Sequence, residues 1–217
     1  MSTTRLKLYN SALTICGETL LHTTTGLTEE REPRRLLDQV WDNDGVDACL
    51  ERGQWHFAMR TSKIDYDAAQ VQDYGLRRSF TKPSDWILTS ALCSDEYFRS
   101  PLVQYADEAG AWYADLDEIF VKYVSNDASY GNDLSLWPAT FTDYVSAAFA
   151  AKIVMKLTAD EKKWEQVMKW EKNKLMLAKS NDAMAGPQKF PAPGNFVNSR
   201  NRFNRRNDRG NRNSLLG

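Results

Sequence analysis

The side chains best suited to chemistry with a partner lie near the C-terminal end of the sequence. Arg200, Arg202, Arg205, Arg206, Arg209 and Arg212 are interleaved with asparagines and with Phe190, Phe196 and Phe203. A guanidinium is a planar fork of donors that grips phosphates and carboxylates bidentately. The chemistry implied is recognition, of a phosphodiester backbone or of an acidic protein surface. Between Pro187 and Gly217 there are seven basic residues and one acidic residue, a net charge of +6. The whole chain of 217 residues carries −1, so the remainder carries −7. An acidic body with a basic tail points to a separate partner for the tail.

Residues that could do covalent or acid–base chemistry are sparse. His22 and His56 are the only histidines and sit in unrelated contexts. Cys16, Cys49 and Cys93 are odd in number and have no metal-ligand spacing, which fits buried free thiols in a reducing compartment. The acidic pairs Asp65/Asp67 and Asp115/Asp117 read as solvated turns or strand faces rather than catalytic dyads. His56, beside Trp55, reads as a structural histidine, and Trp137, Trp164 and Trp170 as core or subunit interface. The sequence has no phosphate-binding glycine loop, nucleophile elbow or metalloprotease helix. The expectation is a protein that is not an enzyme, with no catalytic, cofactor-binding or metal residues and no cofactor.

The elements that must position any partner surface follow from periodicity. Residues from Pro138 to Ala185 form a helical hairpin. Its first arm, Thr140 to Leu157, is apolar over most of its circumference, which predicts burial on several sides, in a core or against a neighbouring subunit. Thr158 to Glu161 matches a capping box, with Thr158 as N-cap. The second arm carries Trp164, Val167, Met168, Leu175 and Ala178 on one stripe. Before the hairpin, Arg5 to Gly17 reads as a helix stopped by Gly17. Glu29 to Arg52 reads as another, with Pro33 in its first turn and a weak point at Asn43-Asp44-Gly45. Gln54 to Arg60 reads as a strand or extended arm.

From Thr61 to Tyr130 helical periodicity gives way to short apolar stretches at 86–88, 102–105, 111–113 and 119–124, with Glu108-Ala109-Gly110 as a hairpin turn. At 42% hydrophobic and 12% aromatic residues, a core without disulfides or metals is feasible. No apolar run reaches membrane length and no signal-peptide pattern opens the chain. The expected fold class is α+β, mainly helical. Two N-terminal helices and the C-terminal hairpin make a bundle (residues 1–60 and 131–185). A small β-rich insertion (61–130) and an extended Asn/Arg-rich tail (186–217) complete it.

The order of elements then resembles a known family. Asn10 to Glu18 on a short helix, Leu50 to Ala58 after a longer one, a β-rich middle, Ala150 to Thr158 and Leu177 to Ala183 together resemble the tail tubular protein A family. These are head-to-tail adaptors of short-tailed bacteriophages. The resemblance covers about residues 5–185; Cys16, just before Gly17, departs from the usual pattern, and the tail from Gly186 has no counterpart. The resemblance implies a virion structural protein assembled in the host bacterial cytoplasm. It implies a dodecameric homo-oligomeric ring, a portal protein and a nozzle protein of the tail tubular protein B type as partners, and genomic DNA passing through the lumen. The tail would dock on the portal, with the six arginines meeting acidic groups and Phe196 and Phe203 as anchors. The competing expectation is a nucleic-acid-binding protein whose tail is a DNA arm.

Overall fold

In a computed structural model, residues 4–22, 30–68, 70 and 75–186 are described. Helix α1 (Arg5–Cys16) opens under Thr4, whose hydroxyl caps the Lys7 amide, and closes at Gly17, left-handed at φ 71°. Helix α2 (Glu32–Asp42) carries a proline in its first turn. The chain breaks at 43–46, where Asp44 is left-handed, and resumes as the single turn α3 (Asp47–Leu50). The sequence reading of one helix with a weak point thus resolves into two helices.

Trp55 is extended and buried, but a 3-10 turn (His56–Ala58) follows it, and strand β1 (Met59–Asp65) starts only at Met59. The alternation at 55, 57 and 59 therefore marks an aromatic anchor more than a strand. Trp55 donates to the Leu50 carbonyl at 3.1 Å and lies edge-on to Phe141 at 4.8 Å between centroids.

The remaining strands are β2 (Arg78–Thr81), β3 (Trp86–Cys93), β4 (Ala106–Glu108), β5 (Ala111–Ala114) and β6 (Glu118–Ser125). They form two antiparallel three-stranded sheets, ordered β1-β6-β3 and β2-β5-β4. Glu108 pairs with Ala111 across Ala109 and Gly110, which both have positive φ. Such a two-residue turn matches the twist of the flanking strands, and the glycine takes the second left-handed position without strain. Along β6 the β-branched and aromatic residues alternate. Ile119, Val121 and Tyr123 enter a core shared with Phe80, Leu92 and Trp112, while Val124 enters the helical core. The first sheet is thus sandwiched, with the second sheet on one face and the helices at one end of the other.

Helices α4 (Ala139–Thr158) and α5 (Glu161–Ala185) form the predicted hairpin. Its turn differs from expectation. Thr158 ends α4 and bonds back to the Val154 carbonyl, Ala159 is left-handed at φ 48°, and Asp160 caps the Lys162 and Lys163 amides. Asp160 out-competes Thr158 because Ala159, in the left-handed region, already closes α4.

The expectation of a mainly helical bundle is not met. The described residues hold five α-helices, but also two sheets with a hydrophobic core of their own, so the strand-bearing half is no small appendage. Sheet-on-sheet packing makes this half self-sufficient in buried surface. The apolar circumference of α4 is likewise satisfied inside the chain. It packs on α1, α2 and α5, and Val145, Phe149 and Ile153 are buried there without a neighbouring subunit. Ser146, also buried, returns its hydroxyl to the Thr142 carbonyl at 2.9 Å.

Candidate interaction surface

The tail residues singled out by sequence, Phe196, Arg200, Arg202, Phe203, Arg205, Arg206, Arg209 and Arg212, lie outside the described residues. The other candidates fall in places that explain them structurally. His56 Nδ1 meets the Asp182 carboxylate at 2.8 Å, and the His56 amide donates to the same carboxylate at 3.0 Å, so the pair ties the end of α5 to the 3-10 turn. Asp115 caps the Arg77 amide and Asp117 pairs with Arg78, while Asp65 ends β1 opposite Glu118. All three cysteines are free and buried. Burial pushes the Cys16 and Cys49 thiols up to about 11. Among the described residues, no group of three or more His, Cys, Asp or Glu side chains is placed to hold a metal ion.

Sequence reasoning missed two polar centres. Asp85, before β3, accepts from Arg60 at 2.8 Å, from Ser125 at 2.5 Å and from Tyr123 at 3.2 Å. Burial opposes its ionisation, but the Ser125 and Arg60 hydrogen bonds outweigh that and hold its carboxyl below the usual range. The second centre is Glu171, on the buried face of α5, which meets Arg52 at 2.5 Å. A cavity of about 170 Å³ between α3, α4 and α5 borders this pair, with Cys49, Lys152 and Met168 also on its wall. Nothing in the alternation of residues announces either centre, because each partner is remote in sequence.

The surface carries the more informative pattern. Trp137 is buried and donates to the Gly131 carbonyl at 2.8 Å, whereas Trp164 and Trp170 face solvent, so the three tryptophans do not form one group. On α5, Trp170, Leu177 and Met184 are 52%, 54% and 74% exposed, and Met176 is 70% exposed. Spacing of seven places the first three on one line of the helix. Glu171 and Asp182 turn inward to Arg52 and His56, and Lys174 pairs with Asp143. From Met168 onward the remaining exposed charged residues are Lys169, Lys172 and Lys179, of which Lys172 and Lys179 lie roughly 120–180° round the helix from that line. The line itself is apolar, with Asn173, Ser180 and Asn181 beside it.

The strand-bearing half is strongly acidic. Between residues 61 and 138 the sequence has six basic and thirteen acidic residues, so the whole −7 of the body resides there. Its Tyr97–Glu108 stretch exposes Tyr97 (70%), Val103 (91%) and Tyr105 (43%) beside Glu96, Asp107 and Glu108. Asp107 holds Lys82 at 2.6 Å, and Arg99 is the one base in that stretch, stacked over Tyr97.

No model of a known protein family matches the chain, and no curated protein matches it significantly. Among the described residues, no helix is long and apolar enough to cross a membrane.

Proposed function

We propose that this protein is a structural assembly component, a head-to-tail adaptor that forms a ring between a phage portal and its tail nozzle. The observation that carries an assembly role is the outer face of α5. Three large apolar side chains line up in solvent along a helix whose inward face is already buried in its own core. Contiguous exposed apolar surface of this kind marks a site of protein–protein contact. The adaptor assignment rests on the order of elements: short helix, broken helix, strand-rich middle and antiparallel hairpin, carrying the segments that resemble tail tubular protein A. Ring formation draws its support from two unlike faces on one chain, since a head-to-tail contact closes into a ring when the rotation per subunit divides a full turn. The ring stoichiometry, the portal and nozzle as partners, and the passage of DNA come from the resemblance. In this reading the tail arginines and Phe196 and Phe203 dock on the portal.

Mass by light scattering, for the protein alone and mixed with its portal, tests the proposal. A ring-sized complex with the portal is expected. A protein that ignores the portal but shifts with duplex DNA supports instead the nucleic-acid reading of the tail.

A further inference from the structure

We infer that the cavity where α3, α4 and α5 meet binds a small monocarboxylate, its apolar body the size of a benzene ring and its carboxylate at the mouth. This goes beyond the assembly reading and does not depend on it. The cavity exists because the helices meet at small side chains, Ala48 and Cys49 on α3 and Ala148 and Ala151 on α4, with Met168 of α5 completing the apolar wall. Cys49, Ala148 and Ala151 are buried, so the depth is apolar, while the exposed Lys152 and half-exposed Arg52 mark the mouth. The volume is about 170 Å³. An apolar cavity of about 150 Å³ admits benzene, and such a lining offers water too few hydrogen-bond partners to hold it.

The charged side chains on the wall select the ligand. Glu171 is buried and already holds Arg52, so the pair is neutral as a unit and leaves the other guanidinium donors to a ligand. Among the described residues, Lys152 forms no ion pair. The wall therefore carries one uncompensated positive charge, which favours a monoanion. A carboxylate between Lys152 and Arg52 gains charge-assisted hydrogen bonds. A cationic ligand fits worse, because the one carboxylate on the wall is taken. A phosphate also fits worse: it has no apolar body for Ala148, Ala151 and Met168 to hold, and it brings a second negative charge towards Glu171.

Isothermal titration of the full chain with benzoate, and with benzyl alcohol as its neutral counterpart, tests this at constant ionic strength. Lys152→Gln removes the charge at an exposed position. Ala151→Leu and Ala48→Leu fill the cavity from two different helices, so that one stays informative if the other fails to fold, and thermal melts check each variant. The expectation is saturable one-to-one binding of benzoate by the unmodified chain. Benzyl alcohol should bind about tenfold more weakly, and Lys152→Gln should lose about tenfold in benzoate affinity, the value of a charge-assisted hydrogen bond. A folded leucine variant should bind neither.

If the unmodified chain shows no saturable binding of benzoate, the inference is overturned. If benzoate and benzyl alcohol bind equally and Lys152→Gln changes neither, the cavity selects no anion and the carboxylate assignment falls. If benzoate binding responds to Lys152→Gln but persists in the folded leucine variants, the anion sits on the surface beside Lys152, outside the cavity, and the inference falls as well. None of these results bears on the mass of the complex with portal, so the assembly reading stands or falls separately.

Discussion

Arg52 and Glu171 meet at 2.5 Å although 119 residues separate them, and they are unequally wetted: the arginine side chain is 52% exposed and the glutamate 7%. This contact joins the end of α3 to the middle of α5 beside the cavity that Cys49 lines. The inequality matters more than the distance. Arg52 keeps about half of its side chain in water, whereas the buried Glu171 side chain has Arg52 as its ion-pair partner.

The two partners should therefore respond differently to removal. Arg52→Ala strands a buried carboxylate and is expected to cost about 2–3 kcal/mol, discounted from a fully buried pair because the arginine is half in water. Glu171→Met fills the same space with apolar atoms and leaves Arg52 solvated, at a cost below about 1 kcal/mol. Urea denaturation of both variants measures the difference; equal costs would show that the pair carries no such asymmetry.

Asp85 gathers Arg60, Tyr123 and Ser125 from two neighbouring strands, so Asp85→Asn should destabilise the sheets by about 2–3 kcal/mol. The sign with pH follows from its lowered carboxyl. The contribution is present above the ordinary value of 3.8 and is lost as pH falls through the folded value. The stability gap between the unmodified protein and Asp85→Asn should close below about pH 4. A gap independent of pH would place the effect elsewhere.

Gly131 has no room for a side chain. A Cβ there would sit 2.2 Å from the Ser125 carbonyl oxygen and 2.8 Å from Leu50 Cδ1. Because backbone cannot yield as a side-chain tip can, Gly131→Ala should cost about 2 kcal/mol and loosen the Trp137 hydrogen bond to the residue 131 carbonyl. A red shift in tryptophan emission together with a lowered melting temperature would mark this loss; an unchanged melting temperature would contradict it.

The thiols offer a fourth kind of test. With Cys16 and Cys49 pushed up to about 11 by burial, and Cys93 raised by the same cause, almost no thiolate exists at neutral pH. An aromatic disulfide reagent should label none of the three cysteines quickly in the native protein and all three in urea. Fast labelling of any one before unfolding would show that its site opens locally.

The parts of the fold that could be read in the sequence are those whose signals are local. Gly17 at the end of α1, Pro33 at the start of α2, the Ala109–Gly110 turn and the alanine-rich run of α4 each satisfy a short-range requirement. Strand β2 escaped notice because Arg78-Ser79-Phe80-Thr81 presents one large apolar residue, and its burial comes from Trp112 and its neighbours rather than from its own pattern. The stretch 102–105 reads as a strand by composition, yet pairing starts at Ala106, where β5 supplies partners. The α5 face was half visible. The spacing of Trp170, Leu177 and Met184 is present in the sequence, but only the structure shows that these side chains stay exposed while Glu171 and Asp182 turn inward.

One consequence concerns the order in which a ribosome delivers the chain. Helix α4 is the centre of the helical core, yet it follows α1 by more than a hundred residues; the Cys16 thiol leans on the Ala150 carbonyl across 134 positions. Through most of synthesis α1 and α2 have little beyond each other to bury against, while the sheets can close earlier. A nascent or prematurely released fragment therefore displays Leu8, Tyr9 and Leu13 to chaperones and proteases. The late centre acts as a checkpoint: a chain that stops before residue 158 never acquires the hairpin that closes the helical core.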